Sequence, residues 1–205
     1  MSSSLYVLPQ SRIWISRGIA VGFIALLLCT VEGWQNHQPI MELGLRWLGW
    51  VLLALGVIGR CWCGSYISGY KNDRLITEGP YSLCRNPLYF FSFLAGLGLM
   101  FITETLTMPL AFLVVYLSYY ALVIRSEESY LSQLHGAAYK AYCETVPRFW
   151  PSFSAFQEPS NYMVSARHYR RHLSEVLWFV IVGGGIEFIE GLHNANILPV
   201  YFFLY

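Results

Sequence analysis

Charged side chains are what this sequence has least of. They make up 12% of its 205 residues, against about 25% in soluble domains. A soluble fold of this size could not hide from water the 56% of residues that are hydrophobic. Neither sign dominates: 13 Lys and Arg face 12 Asp and Glu, and the formal net charge of +1 leaves no long-range field to recruit nucleic acid. Cysteine is also scarce. Cys29, Cys61, Cys63, Cys84 and Cys143 are odd in number and have no framework spacing. The C-x-C pair Cys61 and Cys63 offers two ligands where a metal site needs more, so the cysteines read as packing residues and no metal is expected. Internal repeats and low-complexity tracts are missing. No small-residue cleavage site follows the first apolar run, which therefore reads as an uncleaved span.

What is plentiful is apolar length and aromatic rings. Aromatics are 17% of the chain, and Tyr and Trp suit a membrane interface, where a ring carries a polar tip. Apolar runs cover residues 13–30, 45–67, 88–102 and 109–124, and a fifth starts near 176. The expected fold is an all-α, polytopic membrane helix bundle of about five transmembrane helices. The third and fourth runs form a helical hairpin around Thr103, Glu104 and Thr107. Whether the fifth crosses once or folds back is open, and Glu187 and Glu190 in it are expected near the outer interface.

Basic residues set orientation. With alternating spans, only Arg46 of the 13 falls on one side. The chain is therefore expected to be integral and multi-pass, with a cytoplasmic N-terminus and two charged cytoplasmic segments, 68–87 and 125–175. Arg46 and Arg60 lie where long side chains can snorkel. A core over 1–151 is expected to contain the loop 68–87 and a surface helix 126–144, followed by a linker and an apolar helix over 152–205. The apolar face of the surface helix is read from Leu131, Leu134, Ala138 and Tyr142.

Three cytoplasmic features carry the chemistry. The first is the turn-bearing stretch from Asp73 to Tyr81, with Gly79-Pro80. The second is Arg85-Asn86-Pro87-Leu88-Tyr89. Asn is a strong N-cap and Pro is favoured at the first helical position, so this starts a helix on local grounds. Its free N–H groups would face a polar ligand flanked by Arg85 and Tyr89. The third is Glu127-Glu128 at the end of the fourth run, either of which could hold a cationic group.

In order, these form Gly79-x-Tyr81-x-x-x-Arg85-Asn86-Pro87-x-Tyr89, a hairpin, Glu127-Glu128-x-x-Leu131, then Gly136-x-x-Tyr139-x-x-Tyr142-x-x-x-Val146-Pro147. This order resembles the isoprenylcysteine carboxyl methyltransferase family, itself similar to the phospholipid N-methyltransferases, over about residues 45–151. The resemblance implies an integral membrane enzyme that uses S-adenosylmethionine. Its cofactor pocket faces the cytoplasm and is closed by the segment after the last core helix. Asp73, Arg74, Leu75, Ile76, Tyr81, Asn86, Pro87, Leu88 and Tyr89 would line the cofactor, and Glu127 would meet its amino-acid end. Beyond Glu127 and Glu128 there is no dedicated base.

Two positions depart from the family. Asn86 stands where His is usual, and Asn cannot titrate near neutral pH. Val123 stands where the prenylcysteine enzymes carry an arginine for the substrate carboxylate. Arg125 is about 200° further round the helix. A neutral, thiol-bearing or amine acceptor, lipophilic and entering from the bilayer lipids, is therefore expected in place of a prenylcysteine. The competing readings are a membrane NADPH reductase of the sterol-reductase type, which shares an Arg-x-x-Tyr helix start, and a non-enzymatic small membrane protein.

Overall fold

The computed structural model describes residues 18, 21–26, 28–32, 39–68 and 74–204. Residues 13–17, 19, 20 and 27 of the first apolar run lie outside them, as do Arg12, Lys71 and Asp73. The described elements are β1 (Thr30–Glu32), α1 (Pro39–Ile67), α2 (Pro80–Leu83), α3 (Pro87–Ile102), α4 (Thr107–Thr145), a 3-10 turn (Phe153–Ala155), α5 (Ala166–Asn194) and β2 (Phe202–Leu204). The protein is an all-α membrane helix bundle. Among the described residues, α1, α4 and α5 are long and apolar enough to cross a bilayer, and α3 is a shorter apolar helix of 16 residues. Residues 21–26 and 28–29 of the first run are also helical.

The chain makes α3 the hub. It lies along α1 over its length and also meets α4 and α5. Close approach is possible because the facing positions are small. A Cβ on Gly98 would sit 2.5 Å from the Leu53 backbone nitrogen, and one on Gly56 would sit 2.5 Å from that of Ala95. Lipid tails are as apolar as a side chain, so helices in a bilayer gain by tight packing, and small residues allow it. Leu53, Ala95, Leu99, Met100, Ile102, Met108 and Ile186 form the buried centre of this seam.

The fifth run forms one helix long and apolar enough to cross a bilayer once, and it does not fold back within its apolar stretch. α5 is continuous through Gly183–Gly185 and begins ten residues before Val176. The chain then returns as β2, which pairs in parallel with β1, Thr30 opposite Phe202. This small sheet was not foreseen, because strands three residues long leave no usable period.

Charged groups gather at two opposite ends of the bundle. At one end Arg46 does not snorkel outward but holds three carboxylates, 2.5 Å from Glu104, 3.4 Å from Glu190 and 4.0 Å from Glu187. Trp50 Nε1 also donates to Glu187, at 3.1 Å. The α3–α4 turn and the far end of α5 are thus tied to α1. Glu104 adopts φ 56° and is only 4% exposed. At the other end lie the loop before α2, the start of α3, and the chain from Arg125 to the start of α5.

The surface helix expected over 126–144 is continuous with the fourth span as part of α4, but its backbone breaks at Gly136 (φ 51°, ψ −119°). That break resets the helical phase. Leu131, Tyr139 and Tyr142 pack with Leu75 and Val146, while Leu134 and Ala138 are exposed. The break accounts for Ala138 falling off the face, whereas Leu134, before the break, is exposed on the same helical stretch as Leu131.

Two predictions follow from this packing. Gly98→Ala should lower stability by roughly 1–3 kcal/mol through overpacking, read as a lower unfolding temperature in detergent. Gly184→Ala, which meets open space, should leave it unchanged. In intact cells a cysteine at exposed Leu106 should label from outside, and one at exposed Ser132 only after permeabilisation. The reverse pattern would invert the orientation drawn from the basic residues.

Candidate functional site

Asn86 and Pro87 start α3 as expected, with Pro87 in its first turn, but Asn86 does not cap it through its side chain. Its Nδ2 instead donates to the Arg148 carbonyl at 2.9 Å and to Glu128 Oε1 at 3.4 Å. The cap is forgone because a buried carboxylate nearby needs donors more than the helix end does.

That carboxylate is Glu128, on α4 and 9% exposed. Arg148 lies 2.7 Å from its Oε2, and Arg85 Nε lies 3.3 Å from Oε1. Two guanidinium groups and an amide thus converge on one buried anion. They join the start of α3, the middle of α4 and the segment that follows α4. The backbone adds Arg85 N–H to Pro147 O at 2.8 Å, and Tyr142 Oη donates to the Tyr81 carbonyl at 2.6 Å.

Its neighbour Glu127 is held differently. Tyr89 Oη donates to Glu127 Oε2 at 2.5 Å, its one partner among the described residues. The rest of the half-buried carboxylate is left to accept further donors. Tyr89 leans on Tyr120, with ring centroids 5.4 Å apart, and Tyr120 stacks on Tyr116 at 4.0 Å. The Tyr81 phenol is held well above the usual tyrosine range, first by burial and then by neighbours that include Cys63 and Glu127. Burial also pushes the Cys84 thiol up to about 12, so it stays a neutral packing group.

The stretch expected to be a linker is stitched down. Gly79 N–H donates to Gln157 O at 2.7 Å, Gln157 N–H to Ser82 Oγ at 3.0 Å, and Ser165 N–H to Ser68 O at 3.1 Å. Tyr162 stacks on Tyr66 at 4.2 Å, and Tyr66 Oη reaches Glu158 at 3.4 Å. Gly79 needs its glycine: its φ is 60°, and a Cβ would sit 2.3 Å from the Tyr66 ring. Beneath this segment is a cavity of about 220 Å³ lined by Tyr66, Arg74, Ile76, Glu78, Asn161, Tyr162 and Met163.

The expected site residues therefore fall into separate places. Arg74 and Ile76 line that cavity. Tyr81, Tyr89 and Glu127 form one group, while Arg85, Asn86 and Glu128 form the ionic clasp. Leu75 packs on Tyr139 and Tyr142 away from the cavity, Pro87 is fully buried, and Leu88 is half-buried. Asp73 lies outside the described residues. Val123 is 1% exposed and Arg125 is exposed, so the two point apart on α4. Sequence reasoning missed Tyr66, Glu158 and Tyr162, which sit in a helix end and a polar stretch without a motif. Arg148 was visible only as one of the basic residues of the 125–175 segment, between Pro147 and Phe149. Among the described residues no group of three or more His, Cys, Asp or Glu could hold a metal ion.

A helix bundle with three helices long and apolar enough to cross a bilayer defines an integral membrane protein. The phospholipid methyltransferase family model matches residues 21–138, and this chain belongs to that family. It is similar to the cobalt-zinc-cadmium resistance protein CzcN of Cupriavidus metallidurans, 32% identical over 193 residues, 93% of this chain and 87% of that protein. It is equally similar to the nickel-cobalt-cadmium resistance protein NccN of Alcaligenes xylosoxydans xylosoxydans, 32% identical over 197 residues, 96% of this chain and 91% of that protein. No solved structure matches.

Glu128→Ala should leave Arg85 and Asn86 facing a buried gap and cost about 3 kcal/mol of stability. Unfolding in detergent should show the loss, and proteolysis should reach residues 147–165 sooner. Unchanged protection there would mean that Glu128 does not hold the segment.

Proposed function

We propose that this protein is an S-adenosylmethionine-dependent membrane methyltransferase acting on a lipophilic acceptor that enters from the bilayer, with its site open to the cytoplasm. The observation that carries this is the unequal treatment of two adjacent carboxylates. Glu128 is saturated by Arg85, Arg148 and Asn86, whereas Glu127 is oriented by Tyr89 and retains acceptor capacity. A carboxylate that is oriented but not neutralised suits an ammonium group, and the cofactor's amino-acid end supplies one.

The residues fit the cofactor in its other parts. The stacked pair Tyr66 and Tyr162 and the side chains of Arg74, Ile76, Glu78 and Asn161 give a cavity with aromatic faces and a polar rim, suited to a nucleoside. When bound, the cofactor supplies an activated methyl: the acceptor's lone pair forms the new bond, and the carbon–sulfur electron pair stays with sulfur. The protein's tasks are alignment and exclusion of water. Tyr89 fixes Glu127, and the faces of Tyr89 and Tyr120 offer a neutral, electron-rich surround for a cation. Residues 147–165, held by Glu128 and by the bonds of Gln157 to Gly79 and Ser82, cover the site from the aqueous side. An amine acceptor must arrive deprotonated, because Glu127 is engaged by the cofactor's ammonium and Glu128 by its three partners.

CzcN and NccN carry names that speak of metal resistance. Those names describe the relatives, and they leave the reaction of this chain to be tested directly. Glu127→Ala should weaken S-adenosylmethionine binding by roughly 1.5–3 kcal/mol, the worth of a hydrogen bond to a charged group. Calorimetry on the detergent-purified protein would measure it. Binding equal to the unaltered protein would remove Glu127 from the cofactor site.

A further inference from the structure

The chain from Phe149 to Gln157 carries no charged residue, and it holds Trp150, Phe153 and Phe156, which are 66%, 76% and 40% exposed. A turn at the polar end of the protein thus displays three large apolar rings that the fold leaves uncovered. Clustered apolar surface of this kind marks contact with a partner or with a membrane.

The depth of the turn is fixed by what its rings touch. Trp150 lies 6.0 Å, centroid to centroid, from Phe90, the fourth residue of α3. Phe156 lies 6.2 Å from Trp62, five residues before the end of α1. At 1.5 Å per residue these contacts are about 4–8 Å inside the helix ends. An interfacial element buries its apolar side to a similar depth, about 5–10 Å into the boundary between headgroups and acyl chains. The surface at that depth already belongs to lipid. Val51, Leu55 and Ile58 are exposed on one face of α1 and lead to Trp62 at four- and three-residue spacing. Phe156 continues that stripe beyond Trp62.

The polar groups around the turn suit the same level. A chain that enters a boundary poor in water must pair its backbone N–H groups. Ser152 N–H donates to Leu83 O at 2.9 Å, Phe156 N–H to Phe153 O at 3.3 Å and Gln157 N–H to Ser82 Oγ at 3.0 Å, while Pro151 has no N–H to pair. Cations stand beside it. Arg167, Arg170 and Arg171 are exposed on the first turns of α5. That helix meets the same turn of α1, with His172 Nε2 2.8 Å from the Arg60 carbonyl. Aromatic rings flanked by arginines are the pattern of a headgroup boundary.

We propose that Trp150, Phe153 and Phe156 are a membrane anchor that seats this turn in the interfacial layer of the bilayer. Lipid thereby holds from outside the segment 147–165 that Glu128 and Gln157 hold from within. The occupant is lipid rather than a second copy of the chain, because the patch runs without a break into the bilayer-facing stripe of α1. The anchor goes beyond the methyltransferase reading and does not rest on it. Its consequence for the site is that lifting the cover takes three rings out of lipid, so the membrane itself opposes opening.

The test uses the full chain in phosphatidylcholine nanodiscs. F153W adds one indole, read by difference against the seven native tryptophans. Lipid brominated near the glycerol end of its chains should quench the larger part of the added emission, and aqueous acrylamide should quench little of it. Quenching by acrylamide and not by brominated lipid would place the turn in water and overturn the anchor. Protection from both would mean that a second copy covers the rings, which overturns it equally. In the same nanodiscs F153D should be cut by protease within 147–165 several-fold sooner than the unaltered protein, and F153L should be cut at the unaltered rate. Equal cutting of F153D and F153L would show that lipid does not hold the segment.

Discussion

The carboxylate of Glu128 is the point on which the motif-bearing end of this protein depends. It sits on α4 and draws in Arg85 and Asn86 from the approach to α3 and Arg148 from the chain beyond α4. A buried carboxylate without partners costs several kcal/mol, so the three groups are obliged to converge once α4 is in place. Their convergence brings Arg85 N–H to Pro147 O and Ser152 N–H to Leu83 O, at 2.8 and 2.9 Å. The cover over the cavity follows from one charge needing neutralisation.

The opposite end uses the inverse arrangement. There a single cation, Arg46, gathers Glu104, Glu187 and Glu190 from two other parts of the chain. Both ends are held in register by the seam between α1 and α3. Gly56 and Gly98 bring these helices within backbone contact, so that neither can slide without collision. A rigid central pair with a charged knot at each end leaves α4 attached mainly through α3.

The family's two motif glycines, Gly79 and Gly136, both adopt positive φ, the region that an L side chain enters only with strain. Gly79 admits the Tyr66 ring and receives the cover segment through its N–H. Gly136 turns the end of α4 so that Tyr139 and Tyr142 swing onto Leu75. Both residues thus serve the same closure from opposite sides, and neither contributes a side chain to it.

Much of the fold was legible in the amino-acid order. Apolar length marked the spans that can be checked, Asn86-Pro87 marked the start of α3, and Val146-Pro147 marked the end of α4. The lone Arg46 against all other basic residues foretold the separation of the two charged ends. These are local or compositional facts, governed by how a helix meets lipid and how a proline ends it. Partnership was decided only by tertiary structure. Glu127 and Glu128 are adjacent in sequence and near-identical in chemistry, yet a helix turns them about 100° apart, so that one meets Tyr89 and the other meets Arg85 and Arg148. No periodicity could tell that Arg60 would reach across to Ser92 rather than to water. Nor could it tell that the polar stretch 152–165 would pack on Gly79 and Tyr66. Sequence distance carries no information about which buried charge another helix will leave unpaired, and that pairing is settled when the helices pack.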